Sequence, residues 1–133
     1  MATQPIHTRR WNDPPAAADE GTRILVTRYR PRGVAKADET WDEWDPALGP
    51  SKELHAAAYG KGMLAIPWET YRTLYLREMR LQKDRIAALA KRVAAGETLT
   101  LICSSACDRE SRCHRSLLRE LIEKALTPPD PTD

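Results

Sequence analysis

Apolar positions along this chain follow two periods, and the clearest stretch is residues 98–126. Leu99 to Cys103 is an apolar run bounded by polar residues, the pattern of a strand covered on both faces. Leu117, Leu118, Leu121, Ile122 and Ala125 then recur at helical spacing, with Arg119, Glu120, Glu123 and Lys124 opposite, which predicts an amphipathic helix. Upstream, residues 23–29 (RILVTRY) alternate weakly around Ile24, Leu25 and Val26 and read as the first core strand. Arg30-Pro31-Arg32-Gly33 ends it, because proline lacks the donor a strand needs and glycine permits the turn.

Between the strands the period is helical. Ser51 is a good N-cap for a helix through Tyr59, with Gly60 or Gly62 as its stop. Pro67 precedes a second helix with Glu69 in its first turn and Tyr71, Leu74 and Tyr75 on one face. A third stripe, Ile86, Leu89, Ala90 and Val93, stops at Gly96 and is nearly in phase with the second. A single rod over residues 68–95 would be about 42 Å long at ~1.5 Å per residue, longer than a domain of this size is wide. A break near residues 80–84 is therefore expected. The short link from Gly96 to Thr98 favours a parallel sheet with helices packed on its faces, an α/β fold.

The 133 residues are enough for one domain with a real core. The expected division is a flexible N-terminal arm over 1–21, one α/β domain over 22–126 and a disordered tail over 127–133 (TPPDPTD). A formal charge of +2 excludes an overwhelming attraction to nucleic acid. The charge is uneven, though: residues 23–36 hold five basic side chains and no acid, and residues 38–53 hold six acids against Lys52. Trp41 and Trp44 read as cover for the edge of the core. Over residues 61–95 eight basic side chains, Arg72, Arg77 and Arg80 among them, stand against three acids. A solvated helix face accounts for them, with a nucleic-acid surface as the sharper alternative. No apolar run approaches the ~18 to 20 residues that span a bilayer, and the first residues lack the apolar centre of a secretory signal. A cytoplasmic protein with no membrane contact is the expectation.

The chemistry concentrates after the second strand, where Cys103, Cys107, Cys113, His114 and Arg115 lie. A helix starting near residues 111–113 would put His114 and Arg115 in its first turn, where open N–H groups and the dipole favour an anion that Arg115 can fork onto. Arg28, Arg30 and Arg32 would arrive at the same sheet edge from the first strand, since open α/β sheets place ligands beyond the carboxyl ends of their strands. Zinc is a second option, because Cys103, Cys107, Cys113 and His114 are suitable donors, but their spacing matches no familiar finger or ribbon. Cys103 with Arg109 gives C-x5-R, the spacing of a phosphatase loop, without the glycine such a loop usually needs. Cys113 is a candidate thiolate at a helix start and His114 a candidate general base, each weighed against a packing or capping role. His7 and His55 receive no role.

Taken in order, RILVTRYRPRGV, WDEWDPALGPSKELHAAAYG, WETYRTLYLREM and LTLICSSACDRESRCHRSLLRELI resemble the bacterial domain-of-unknown-function family 488, in its YeaO-like branch, over about residues 23–126. The resemblance implies a small α/β domain without an established reaction. Its signatures fall on Pro31, Arg32 and Gly33 and on Cys113, His114 and Arg115. The chain departs from it at Thr27 and Arg30, where family members commonly carry aspartate and tryptophan.

The sequence therefore leads to a pocket for a phosphate- or nucleotide-type anion, held by Arg28, Arg32 and Arg115 and lined by the catalytic candidates Cys113 and His114. No cofactor and no metal are expected. The alternatives are a non-catalytic nucleic-acid-binding module through the basic helices and a structural zinc domain.

Overall fold

Leu99–Cys103 is buried at every position, and the sheet is built around it. A computed structural model describes residues 6–60, 64–104 and 113–126. Its strands are β1 (Ile6–Arg10), β2 (Thr22–Leu25), β3 (Glu43–Trp44) and β4 (Leu99–Cys103), and its helices are α1 (Lys52–Tyr59), α2 (Trp68–Met79), α3 (Lys83–Ala94) and α4 (His114–Leu126). The sheet order is β1-β4-β2-β3 and every pairing is parallel. β4 lies between β1 and β2, in register Ile6↔Leu99 and Thr22↔Leu99.

Side chains alternate across a strand, so neighbours on β2 and β4 serve different cores. Ile24, Leu99 and Leu101 join the larger one, to which the helices contribute Leu54, Tyr75, Met79, Ile86, Leu89, Leu117, Leu118 and Ile122. Leu25 and Ile102 face the other way, against Trp41 with Trp11 and Val34. The helical layer thus covers one face and the chain between strands covers the other. The α/β architecture is the expected one, with loop segments where a second helical layer would sit.

The local signals act as the sequence implies. Ser51 Oγ accepts from Leu54 N–H, and Gly60 closes α1 in the left-handed region at φ 70°. Glu78 of α2 accepts from both the Ser51 backbone N–H and its hydroxyl, which ties α1 to α2. The expected break is a turn of 3-10 helix, Arg80–Gln82, separating α2 from α3. Ala125, read as part of the α4 stripe, is exposed. Gly62 and the tail 127–133 lie outside the described residues.

One expectation needs correction. The supposed flexible arm over residues 1–21 contains strand β1, paired with β4 over Ile6–Arg10. Its sequence, IHTRR, offers one apolar residue and no alternation, which is why the period misses it. Ile6 is fully buried, and Arg9 is buried because its guanidinium is satisfied throughout. It donates to Glu20 through Nε at 2.6 Å and Nη2 at 3.0 Å, and to the carbonyls of Arg10, Trp11 and Thr40. The Thr40 hydroxyl donates to the Trp11 carbonyl at 2.5 Å, and Thr100 on β4 donates to the Glu20 carbonyl at 2.7 Å. The segment after β1 is pinned to the sheet by these polar contacts.

The Glu20 carboxyl lies below its ordinary value of 4.5: burial works to raise it, and the hydrogen bonds from Arg9 and the Ala16 N–H outweigh that. A lowered folded value means a contribution present above pH 4.5 and lost as pH falls through the folded value. Glu20→Gln leaves a buried guanidinium without its counter-charge and should cost about 3 kcal/mol at about pH 7. The cost should shrink in acid, because below pH 4.5 the carboxyl of the unfolded parent chain takes up its proton before that of the native one. Urea unfolding of both proteins at about pH 7 and about pH 3 checks this; an equal gap at both values would contradict it.

Candidate functional site

Because β1, β2 and β4 are parallel, their carboxyl ends share one edge of the sheet, and the first turn of α4 is anchored at that edge. His114 opens α4 and is 5% exposed. Its Nε2 lies 2.6 Å from the carbonyl oxygen of Val26, just past β2. A carbonyl only accepts, so Nε2 carries the hydrogen, and in the neutral ring Nδ1 keeps its lone pair. That nitrogen stands 3.9 Å from Cys113 Sγ. A thiol, an imidazole and a carbonyl that fixes the tautomer therefore follow one another at the start of α4.

Tyr75 of α2 backs this pair. Its ring centroid is 5.5 Å from that of His114, and its hydroxyl donates to the Leu48 carbonyl at 2.7 Å. Complete burial is the main cause that pushes its phenol well above the ordinary value, and the neighbouring Cys113 and Glu78 push the same way. Tyr75 thus stays a neutral donor that locks residue 48 to α2.

Arg115 is 5% exposed, and its Nη1 donates to Cys103 Sγ at the end of β4. A guanidinium against a sulfur favours thiolate over thiol. The charge of Arg115 also reaches Asp13, whose carboxyl is held below the ordinary range chiefly by the hydrogen bond from the Arg10 side chain. Arg115 is thus a positive side chain on Cys103; Arg109 of the C-x5-R spacing, like Cys107 and Arg112, lies outside the described residues.

Arg28 and Arg32 occupy the exit from β2. Arg28 Nε donates to the Pro50 carbonyl at 3.0 Å, immediately before α1. Gly49 permits that approach, since a Cβ there would lie 2.4 Å from the Arg28 backbone nitrogen. Arg32 is exposed in the turn whose Gly33 has φ 73°. Arg30 is engaged with Glu39 at 3.0 Å and the Val34 carbonyl at 2.7 Å, over the Trp41 ring. The structure therefore brings Cys103, Cys113, His114 and Arg115 together. Arg28 and Arg32 are on the neighbouring β2 exit, joined to α4 through Val26 and not by direct contact of their side chains.

Sequence reasoning did not select Tyr75 as part of the site or Cys103 as the partner of Arg115. Tyr75 was visible only as a core position, and a contact across twelve positions of chain and two elements has no local signal. Among the described residues no three of His, Cys, Asp or Glu gather as a metal site. Arg85 pairs with Asp45, and Arg92 with Glu43 and Glu97. Arg72, Arg77 and Arg80 are exposed on α2 and the turn after it. No helix among the described residues is long and apolar enough to cross a membrane.

Tyr75→Phe should cost about 1 to 2 kcal/mol, because the buried Leu48 carbonyl loses its donor while the ring remains against His114. Denaturant unfolding measures it, and an unchanged midpoint would show that the hydroxyl carries nothing.

Compared with known proteins, the chain matches over residues 6–126 the family model described as the active DUF488-N3 subclade. It is similar to the uncharacterized protein YeaO of Escherichia coli (strain K12), with 38% identity over 91 residues that cover 68% of this chain and 76% of that protein. No solved structure matches it.

Proposed function

The chain belongs to the DUF488 family, in its active N3 subclade, and from that premise we propose that it binds and transforms an anionic ligand of phosphate or nucleotide type at the carboxyl edge of its sheet. Arg28, Arg32 and Arg115 hold the negative charge, and Cys113 with His114 supplies the reactive pair. The observation that carries this reading is the meeting of three features at one point: the first turn of α4, the Arg115 guanidinium and the exit of the central strand. The amide end of a helix and a guanidinium each stabilise negative charge, and in a site with little water they do so more strongly. The carbonyl of Val26 supports the chemical role, because an imidazole fixed through Nε2 can accept the Cys113 proton at Nδ1 and remain hydrogen-bonded at both nitrogens. The word active in the description of the subclade agrees with a working site.

A second reading rests on a different observation. Arg72, Arg77 and Arg80 are exposed and form no ion pair among the described residues, which suits a nucleic-acid backbone. Binding of that kind would weaken steeply with added salt and with Arg72→Ala, Arg77→Ala and Arg80→Ala together.

Thermal shifts against phosphorylated metabolites and nucleotides test the first reading, since a ligand bound only by the native state raises its apparent stability. A stabilising ligand should lose about tenfold or more in affinity with Arg28→Gln plus Arg32→Gln, a pair at partly or fully exposed positions that leaves the fold intact. Arg115→Gln should weaken it further, and Cys113→Ser should retain binding and lose turnover. Equal affinity in the double variant and the parent would rule out the anion site as assigned.

A further inference from the structure

The exit of β1 reaches the same corner of the sheet as Cys103 and Arg115. Ile6 belongs to the helical core, and side chains alternate along a strand, so Arg10 stands on the helical face as well. Leu99 and Leu101 put Cys103 on that face by the same rule. Arg10 and Cys103 are partners in the register of β1 with β4, and neighbouring strands lie about 4.8 Å apart. Two arginines therefore converge on the exit of β4: Arg10 as the strand neighbour of Cys103, and Arg115, whose Nη1 donates to its sulfur.

Arg10 arrives there with a carboxylate on it. Asp13 Oδ1 accepts from Nη2 at 2.7 Å and from Nε at 3.0 Å, and Oδ2 accepts from the Arg10 backbone N–H at 2.9 Å. The Trp11 N–H donates to the Cys103 carbonyl at 2.9 Å and the Asp13 N–H to the Arg10 carbonyl at 3.1 Å, so a tight turn brings the carboxylate back over the strand end. A guanidinium fork joined by a backbone N–H is also what the oxygens of a phosphate take. The side chains of Arg10 and Asp13 are 32% and 25% exposed, so solvent reaches the pair. Pairs this open to water contribute little to stability. The Asp13 carboxyl lies below its ordinary value, chiefly through the hydrogen bond from the Arg10 side chain, and the charge of Arg115 adds to this. Asp13 is therefore ionised at neutral pH and within the field of a guanidinium that the anion site uses.

We propose that Arg10 is a further guanidinium of the anion site and that Asp13 is its internal counter-ion, which the phosphate of a ligand must displace. This rests on the anion-site reading above and adds to it what sets the strength of binding. The carboxylate makes the contacts that the ligand needs, so the two compete for one fork, and the apparent affinity is reduced by the fraction of time Asp13 holds it.

The experiment titrates the full chain with inorganic phosphate in a calorimeter. Asp13→Asn and Asp13→Ser each keep an acceptor for the Arg10 N–H and suit a turn, while removing the charge. Both should bind phosphate about tenfold more tightly than the parent, a gain that a residue merely shaping the turn would not produce. Arg10→Gln added to Asp13→Asn should return the affinity to about that of the parent, because the fork is gone. Circular dichroism and the melting temperature establish that each variant folds. Unchanged or weaker binding in both Asp13 variants, with the parent still binding phosphate, overturns the counter-ion and leaves the anion site standing. A gain that survives Arg10→Gln overturns the assignment of the fork to Arg10. No binding by the parent or by any variant overturns the counter-ion and the anion site together.

Discussion

Everything in this fold refers to the pairing of β4 with a parallel strand on each side. A strand hydrogen-bonded along both edges and covered on both faces has no surface left for water, so its residues must be apolar or internally satisfied. Leu99, Leu101, Ile102 and Cys103 meet the first condition, and Thr100 meets the second by donating to the Glu20 carbonyl. Once β4 is fixed, the parallel direction of β1 and β2 follows it. Their ends then open on the same side, where α4 begins.

The site inherits its order from that arrangement. His114 is bound to the exit of β2, Arg115 to the exit of β4, and the ring of His114 is backed by a tyrosine whose hydroxyl holds the chain at Leu48. Each of these contacts joins a chemistry-bearing side chain to a backbone group or to a strand end. Such anchoring removes rotamer freedom, which is what preorganisation of the proposed anion site requires.

Much of this could be read along the chain, and the parts that could not share a cause. Ser51, Gly60, the stripe of α3 and the apolar run of β4 report their structure within a few residues, because caps, left-handed turns and periodicity are local physics. The break at Arg80–Gln82 was legible from length alone. β1 was not, since Arg9 is a core residue only in the presence of Glu20, eleven positions away. β3 is two exposed residues long and carries no apolar signature of its own. The same division runs through the site: His114 and Arg115 announce themselves at a helix start, while the seating of Arg115 on Cys103 and of Tyr75 on His114 exists only after α2, α4 and the sheet have met.

The order of the sheet also bears on how the chain reaches its native state. β1 and β2 are early in the sequence but do not touch each other; the strand that separates them is β4, synthesised after three helices have emerged. On a ribosome the amino-terminal strands must wait, unpaired, until the last third of the chain is available to join them. Closure across so many residues carries a high loop entropy and makes the final step slow relative to helix formation. The polar, arginine-rich composition of residues 6–10 suits that interval, because a waiting strand of this kind stays soluble where an apolar one would aggregate.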